Sequence, residues 1–67
     1  MISLTKLNDS KIVINSELIE FIEAIPDTII TLTTGQKIMV KESVEDVVNK
    51  VIEYKRKIFY KMITEKY

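Results

Sequence analysis

Residues 43–64 read SVEDVVNKVIEYKRKIFYKMIT, and the fold turns on how that stretch is read. Val44, Val47, Val48, Val51, Ile52, Ile58, Phe59, Met62 and Ile63 recur at intervals of three and four, the spacing that lines one face of an α-helix. Ser43 stands where a helix cap belongs, with Asp46 three residues on as a weak form of the Ser-x-x-Glu box. At about 1.5 Å per residue a helix from Val44 to Thr64 is roughly 30 Å long, whereas a strand of about five residues spans only ~17 Å. The last two turns then have no sheet beneath them. An apolar helix face of that length needs a partner outside its own sheet, which points to an interaction module before it points to an enzyme.

The residues before the helix alternate with a period of two. Ile2 and Leu4, then Ile12 and Ile14, alternate with polar residues, so 2–7 and 11–14 read as two strands of a hairpin turned at Asn8-Asp9-Ser10. Leu18 to Ile25 fits either period; we read a short turn near Asn15–Glu17 followed by a strand. Pro26-Asp27 marks a turn, and Thr28-Ile29-Ile30-Thr31-Leu32-Thr33 is a β run rich in branched residues. Thr34-Gly35 supplies the next turn, with the chain's only glycine where a positive φ is needed, and Lys37 to Val40 pairs back. The expected fold class is α+β: a small antiparallel sheet of about five short strands followed by one long C-terminal amphipathic helix. A single domain spans residues 1–67, β-rich over 1–41 and helical over 43–65.

Composition narrows the functions open to it. A chain of 67 residues buries only about 60% of its unfolded surface, and this one has no cysteine to cross-link a small core. Self-association is the simplest remaining way to bury more. Lacking histidine and cysteine, the chain has neither the usual general base nor a thiol nucleophile nor zinc ligands of the usual kind. Glu17, Glu20 and Glu23 lie three apart, a pattern that is ordinarily solvated surface, and a lone Thr-Gly is no phosphate loop. We expect no catalytic residue, no metal and no cofactor. No stretch approaches the ~20 apolar residues of a membrane span, and the opening MISLTK lacks the order of a secretory signal, so a protein that stays in the cytoplasm is expected.

Equal numbers of acidic and basic side chains, ten of each, conceal a polarity along the chain. Residues 1–53 hold five cations and nine carboxylates, a net of −4; residues 54–67 hold Lys55, Arg56, Lys57, Lys61 and Lys66 against Glu65, a net of +4. The plain explanation is a helix charged to suit its dipole. The sharper one is a basic tip for anionic lipid or an acidic partner, with Lys55, Arg56, Lys57 and Lys61 as the contacts. The candidate oligomer or partner interface is Val51, Ile52, Ile58, Phe59, Met62 and Ile63. Pro26, Asp27 and Gly35 are structural turn positions.

The residue order Met1-Ile2-Ser3-Leu4-Thr5-Lys6-Leu7-Asn8, then Asn15, Leu18-Ile19-Glu20, Ile22-Glu23, Pro26-Asp27-Thr28, Ile30-Thr31-Leu32, Thr34-Gly35-Gln36-Lys37 and Val40-Lys41-Glu42-Ser43 resembles the FlbD/SwrD family of small flagellar proteins. The likeness covers roughly residues 1 to 56. Asp9-Ser10 departs from the family's Asn-Gly-type turn, and Thr34 replaces the frequent Asn before Gly35. The resemblance implies a cytoplasmic bacterial protein of flagellar operons, needed for swarming or full motor power, and carries no catalytic residue with it. The leading expectation is therefore a homo-oligomeric adaptor that supports the flagellar motor, through its stator or another component near the inner face of the membrane. Five short strands before a helix, with a Leu-Thr-Lys opening, also resemble the CsrA translational regulators. That alternative, RNA binding, would rest on Lys6, Lys11, Lys37 and Lys41 alone, so nucleic acid is the less expected partner. A second alternative lays the helix tip on a membrane surface, with Phe59, Met62 and Tyr67 at the interface.

Overall fold

Apolar residues on alternate positions of a two-stranded and a three-stranded sheet can reach a common centre only if the two turn their apolar faces inward, and they share one core. In a computed structural model, β1 (Ile2–Thr5) and β2 (Lys11–Ile14) form a two-stranded antiparallel sheet, and β3 (Ile19–Glu23), β4 (Thr28–Leu32) and β5 (Lys37–Val40) a three-stranded one in the order β3-β4-β5. A 3₁₀ turn at Ser16–Leu18 leads into β3, and the helix α1 runs Val44–Lys66. The structure describes the chain path over residues 1–66 and the side chains of 1–61. The α+β layout read from the sequence is the one observed, with its five strands divided between two sheets.

Register explains the core. Ile2 pairs with Ile14 and Leu4 with Ile12, while Ile22, Ile30 and Ile38 form a row across the second sheet. These inward positions, with Leu32 and Val40, close on Val47 of α1; Leu4, Ile30, Val40 and Val47 are fully buried. At ~25 cal/mol per Å² of apolar surface removed from water, such branched side chains are the main stabilising term. The opposite face of the second sheet carries Phe21, Thr31 and Lys37 in one row and Glu23, Ile29 and Met39 in the next.

The two sheets meet at one corner. β1 ends at Thr5, two residues short of the strand read over 2–7, because the Lys6 carbonyl accepts the Asp9 N–H at 2.9 Å and the chain turns there. Lys6 instead bridges to Val40, and the Thr5 carbonyl accepts the Lys41 N–H at 2.8 Å. The ambiguity over Leu18–Ile25 has a structural cause. The β3–β4 register slips between Ile19 and Phe21, so Ile19 and Ile22 both pack on the core while Phe21 is exposed. That bulge interrupts a strict alternation and imitates helical spacing.

The turns fall where they were read. Asn8 accepts from the Ser10 N–H at 3.0 Å and the Ser10 hydroxyl at 2.6 Å, and Asp9 adopts φ +71°. Asp tolerates that left-handed region as a single residue, which is how Asp9-Ser10 can stand in for an Asn-Gly turn. The Ile25–Pro26 peptide is cis, within the bend before β4. Gly35 has φ +91° and its N–H donates to the Leu32 carbonyl at 2.8 Å. A Cβ built on Gly35 meets nothing within 4 Å, so the requirement for glycine there is conformational and not steric. Gly35→Ala is expected to lower stability by about 1–2 kcal/mol and Gly35→Asn by less, as read from urea unfolding.

Candidate functional site

The helix is anchored at its start, and its residues from Lys55 to Lys61 are exposed. Ser43 Oγ accepts the Asp46 N–H at 3.1 Å and the Ser43 carbonyl accepts the Val47 N–H at 3.0 Å, a side-chain cap with Glu45 and Asp46 in the first turn. Glu42, just before it, fixes the direction of departure. Its carboxylate accepts the Thr5 N–H through both oxygens, at 2.9 and 3.0 Å, so the β1 end is held from two sides by residues 41 and 42. Burial pushes the Glu42 carboxyl up; the Thr5 N–H, its own backbone N–H, the Thr5 side chain and Lys50 outweigh that, and the group stays below its ordinary value.

Among the described residues the inward positions on α1 are Val44, Val47, Val51 and Tyr54. Every residue from Lys55 to Lys61 is exposed, and among them stand Ile58, 38% exposed, and Phe59, 67% exposed. A 23-residue helix is about 34 Å long, and the whole chain measures 46 × 22 × 19 Å. Over Lys55–Lys61, the described part of it, the overhang read from the sequence is present. Of the candidate interface residues, Val51 packs partly against the chain's own core, while Ile52, Ile58 and Phe59 face outward. Met62 and Ile63 lie outside the described residues.

The cations are placed on and around this extension. Lys55 reaches Glu17 at 3.5 Å, tying the helix to the 3₁₀ turn, and Arg56 reaches Glu53 at 3.5 Å. Lys57 lies on the opposite side of α1, where Met1, Ser3, Glu42, Asp46 and Lys50 help line an open cleft of about 570 Å³. On the flank of α1 nearer β3 a smaller groove of about 260 Å³ runs between Ile19 and Ile22 on one side and Val48 and Ile52 on the other. Val48 belongs to the periodic set read from the sequence, but its place beside a groove needs β3 in position. The strand lysines are spread: Lys41 pairs with Asp9, and Lys11 donates to Thr5 Oγ1 at 3.0 Å.

Glu17, Glu20 and Glu23 are not gathered into one site. Glu17 sits in the 3₁₀ turn, Glu20 at the bulge and Glu23 on the outer face of the sheet. Among the described residues no group of three or more acidic side chains is arranged to hold a metal ion, and no helix is long and apolar enough to cross a membrane. Pro26 and Asp27 lie in the exposed turn before β4, and Gly35 in the turn before β5.

Such a fold and surface define a small α+β module that presents a projecting helix, basic in charge and apolar along one edge. The family model FlbD, flagellar and swarming motility proteins, matches residues 1–59, and the chain belongs to that family. Neither a curated protein nor a solved structure matches it. By its description the family is one of motility proteins. The matched region ends at Phe59, so it takes in the whole β-part and the first turn of the overhang.

The bond between Glu42 and Thr5 makes stability depend on pH. A folded-state carboxyl held below its unfolded value stabilises the fold above that unfolded value and loses its contribution as pH falls through the lowered one. Glu42→Gln is expected to cost about 1 kcal/mol near neutral pH and to flatten the acid side of the urea-midpoint profile. Parallel profiles for the two proteins would show that Glu42 is not a source of that dependence.

Proposed function

We propose that this protein supports flagellum-driven swarming as a non-catalytic, self-associating adaptor whose contact surface is the projecting part of α1. The observation that carries this is the run from Lys55 to Lys61, exposed throughout yet holding Ile58 and Phe59. Water disfavours an apolar pair held out on a helix, and burying it against another protein returns the ~25 cal/mol per Å² that its own sheets do not supply. Membership of a flagellar and swarming motility family supports the setting. The partner we assign is a component of the motor, its stator or a neighbour at the inner face of the membrane, which places the protein in the cytoplasm at the flagellar base. The cations around the apolar pair suit an acidic face on that partner.

Phe59→Asp replaces an exposed side chain and should leave the fold intact, as far-ultraviolet circular dichroism would show. In cells carrying it as the only copy, swarm expansion should be lost while the protein level is unchanged. Full swarming by a stable Phe59→Asp protein would remove the helix tip from the function.

A further inference from the structure

One apolar side chain stands out from the β-part of the molecule. Ile25 is 84% exposed, more than any other large apolar residue among those described, and Glu23, Ala24, Pro26 and Asp27 around it are exposed as well. It lies on the β3–β4 turn, with Glu23 two residues before it and Asp27 two after. Residues 15–27 hold Glu17, Glu20, Glu23 and Asp27 and no cation. The turn is an apolar knob set between carboxylates.

The opposite pattern lines a groove on the other edge of the same sheet. Beside the Lys6–Val40 bridge, the outer edge of β5 and the β1–β2 turn enclose about 330 Å³. Leu7, Ile12, Ile38 and Met39 make its lining apolar, and Leu7 and Met39 are 43 and 45% exposed. Lys6 on the turn and Lys37 on the strand give it two cations, the neutral Asn8 and Gln36 complete it, and no carboxylate lines it. Asp9, the nearest acid along the turn, is held by Lys41. The amines of Lys11, Lys41 and Lys55 have partners, but among the described residues those of Lys6 and Lys37 have neither a hydrogen bond nor an ion pair. Lys6 is half-buried, where an unmatched cation gains most from a carboxylate brought to it.

We infer that the groove receives the Ile25 turn of a second copy of this chain, Ile25 packing on Leu7 and Met39 while Glu23 and Asp27 stand beside Lys6 and Lys37. This contact lies apart from the helix tip and goes beyond the reading of α1 as an interaction surface. The occupant is chosen by charge: an apolar side chain between two carboxylates answers an apolar lining between two cations. Phe59, the other apolar side chain held far out, stands among cations that Lys6 and Lys37 repel. β3 and β5 are opposite edges of their sheet, so the turn that follows β3 does not fill the groove beside β5 of its own chain. Knob and groove are different patches, and each copy offers both, so the contacts either close on themselves or continue from copy to copy.

The test is sedimentation velocity on the full chain carrying Phe59→Asp, which removes the helix contact beforehand. At micromolar concentration that protein should still self-associate, less so as salt rises. Adding Ile25→Ser or Lys37→Glu, both at exposed positions, should weaken the association about tenfold or more while the circular dichroism stays unchanged. An equal mixture of those two variants should recover one-to-one pairs, because the first keeps its groove and the second its knob. A Phe59→Asp protein that is monomeric, an Ile25→Ser variant that associates as strongly as its parent, or a mixture no better associated than either variant alone would overturn the inference. Each of these results leaves the helix reading as it was. Normal swarming by Phe59→Asp would remove the helix reading, and recovery of pairs in the mixture would still uphold this contact.

Discussion

Everything in this fold hangs on Thr5, whose backbone is gripped on both sides by the segment between the last strand and the helix. Its carbonyl takes the Lys41 N–H and its N–H goes to the Glu42 carboxylate, while Ser43 caps α1 in the very next position. Three consecutive residues thereby join sheet to sheet and set the direction of the helix. A backbone group buried without a partner costs about 1–3 kcal/mol, so the end of β1 could not have been left beside α1 unpaired. Lys41 adds a side-chain ion pair to Asp9 across the first turn, which is exposed and worth little by itself. Its backbone does the structural part.

With the corner fixed, the rest is a matter of limited material. Among the described residues eight fully or nearly buried apolar side chains form the core, and Val47 is the one that α1 donates to it outright. A short sheet can cover about three turns of helix, and the inward line ends at Tyr54 for that reason. Lys55 and Glu17 stand at the point of departure, where an ion pair holds the helix against the 3₁₀ turn that Asn15 caps by accepting the Glu17 N–H at 3.0 Å.

The helix, its Ser43 cap and the overhang could be read directly because each is a local property: a period, a side chain three residues from an N–H, a length. So could the turn at Gly35, where one dihedral demands one residue. Residues 18–25 resisted, since a bulge at Glu20 shifts the inward positions from an alternating to a three-residue interval, and only pairing with β4 shows it. The division into two sheets and the Glu42–Thr5 bond were equally hidden, the latter joining residues 37 positions apart. Of the surface, Ile58 and Phe59 announced themselves by spacing, but the groove beside Val48 exists only once β3 and α1 are side by side.

The separation of charge between body and tip has a consequence for how the molecule travels. A net of −4 over residues 1–53 and +4 over 54–67, in a particle 46 Å long, makes a neutral chain into an electric dipole lying along its own helix. A dipole gains no net pull from a uniform field but is turned by it, and near a charged surface it arrives already oriented. At a Debye length of about 8 Å in physiological salt that turning acts only within the last few water layers before contact. In a single copy of the chain that orienting torque comes without the non-specific attraction that a net charge of either sign would bring.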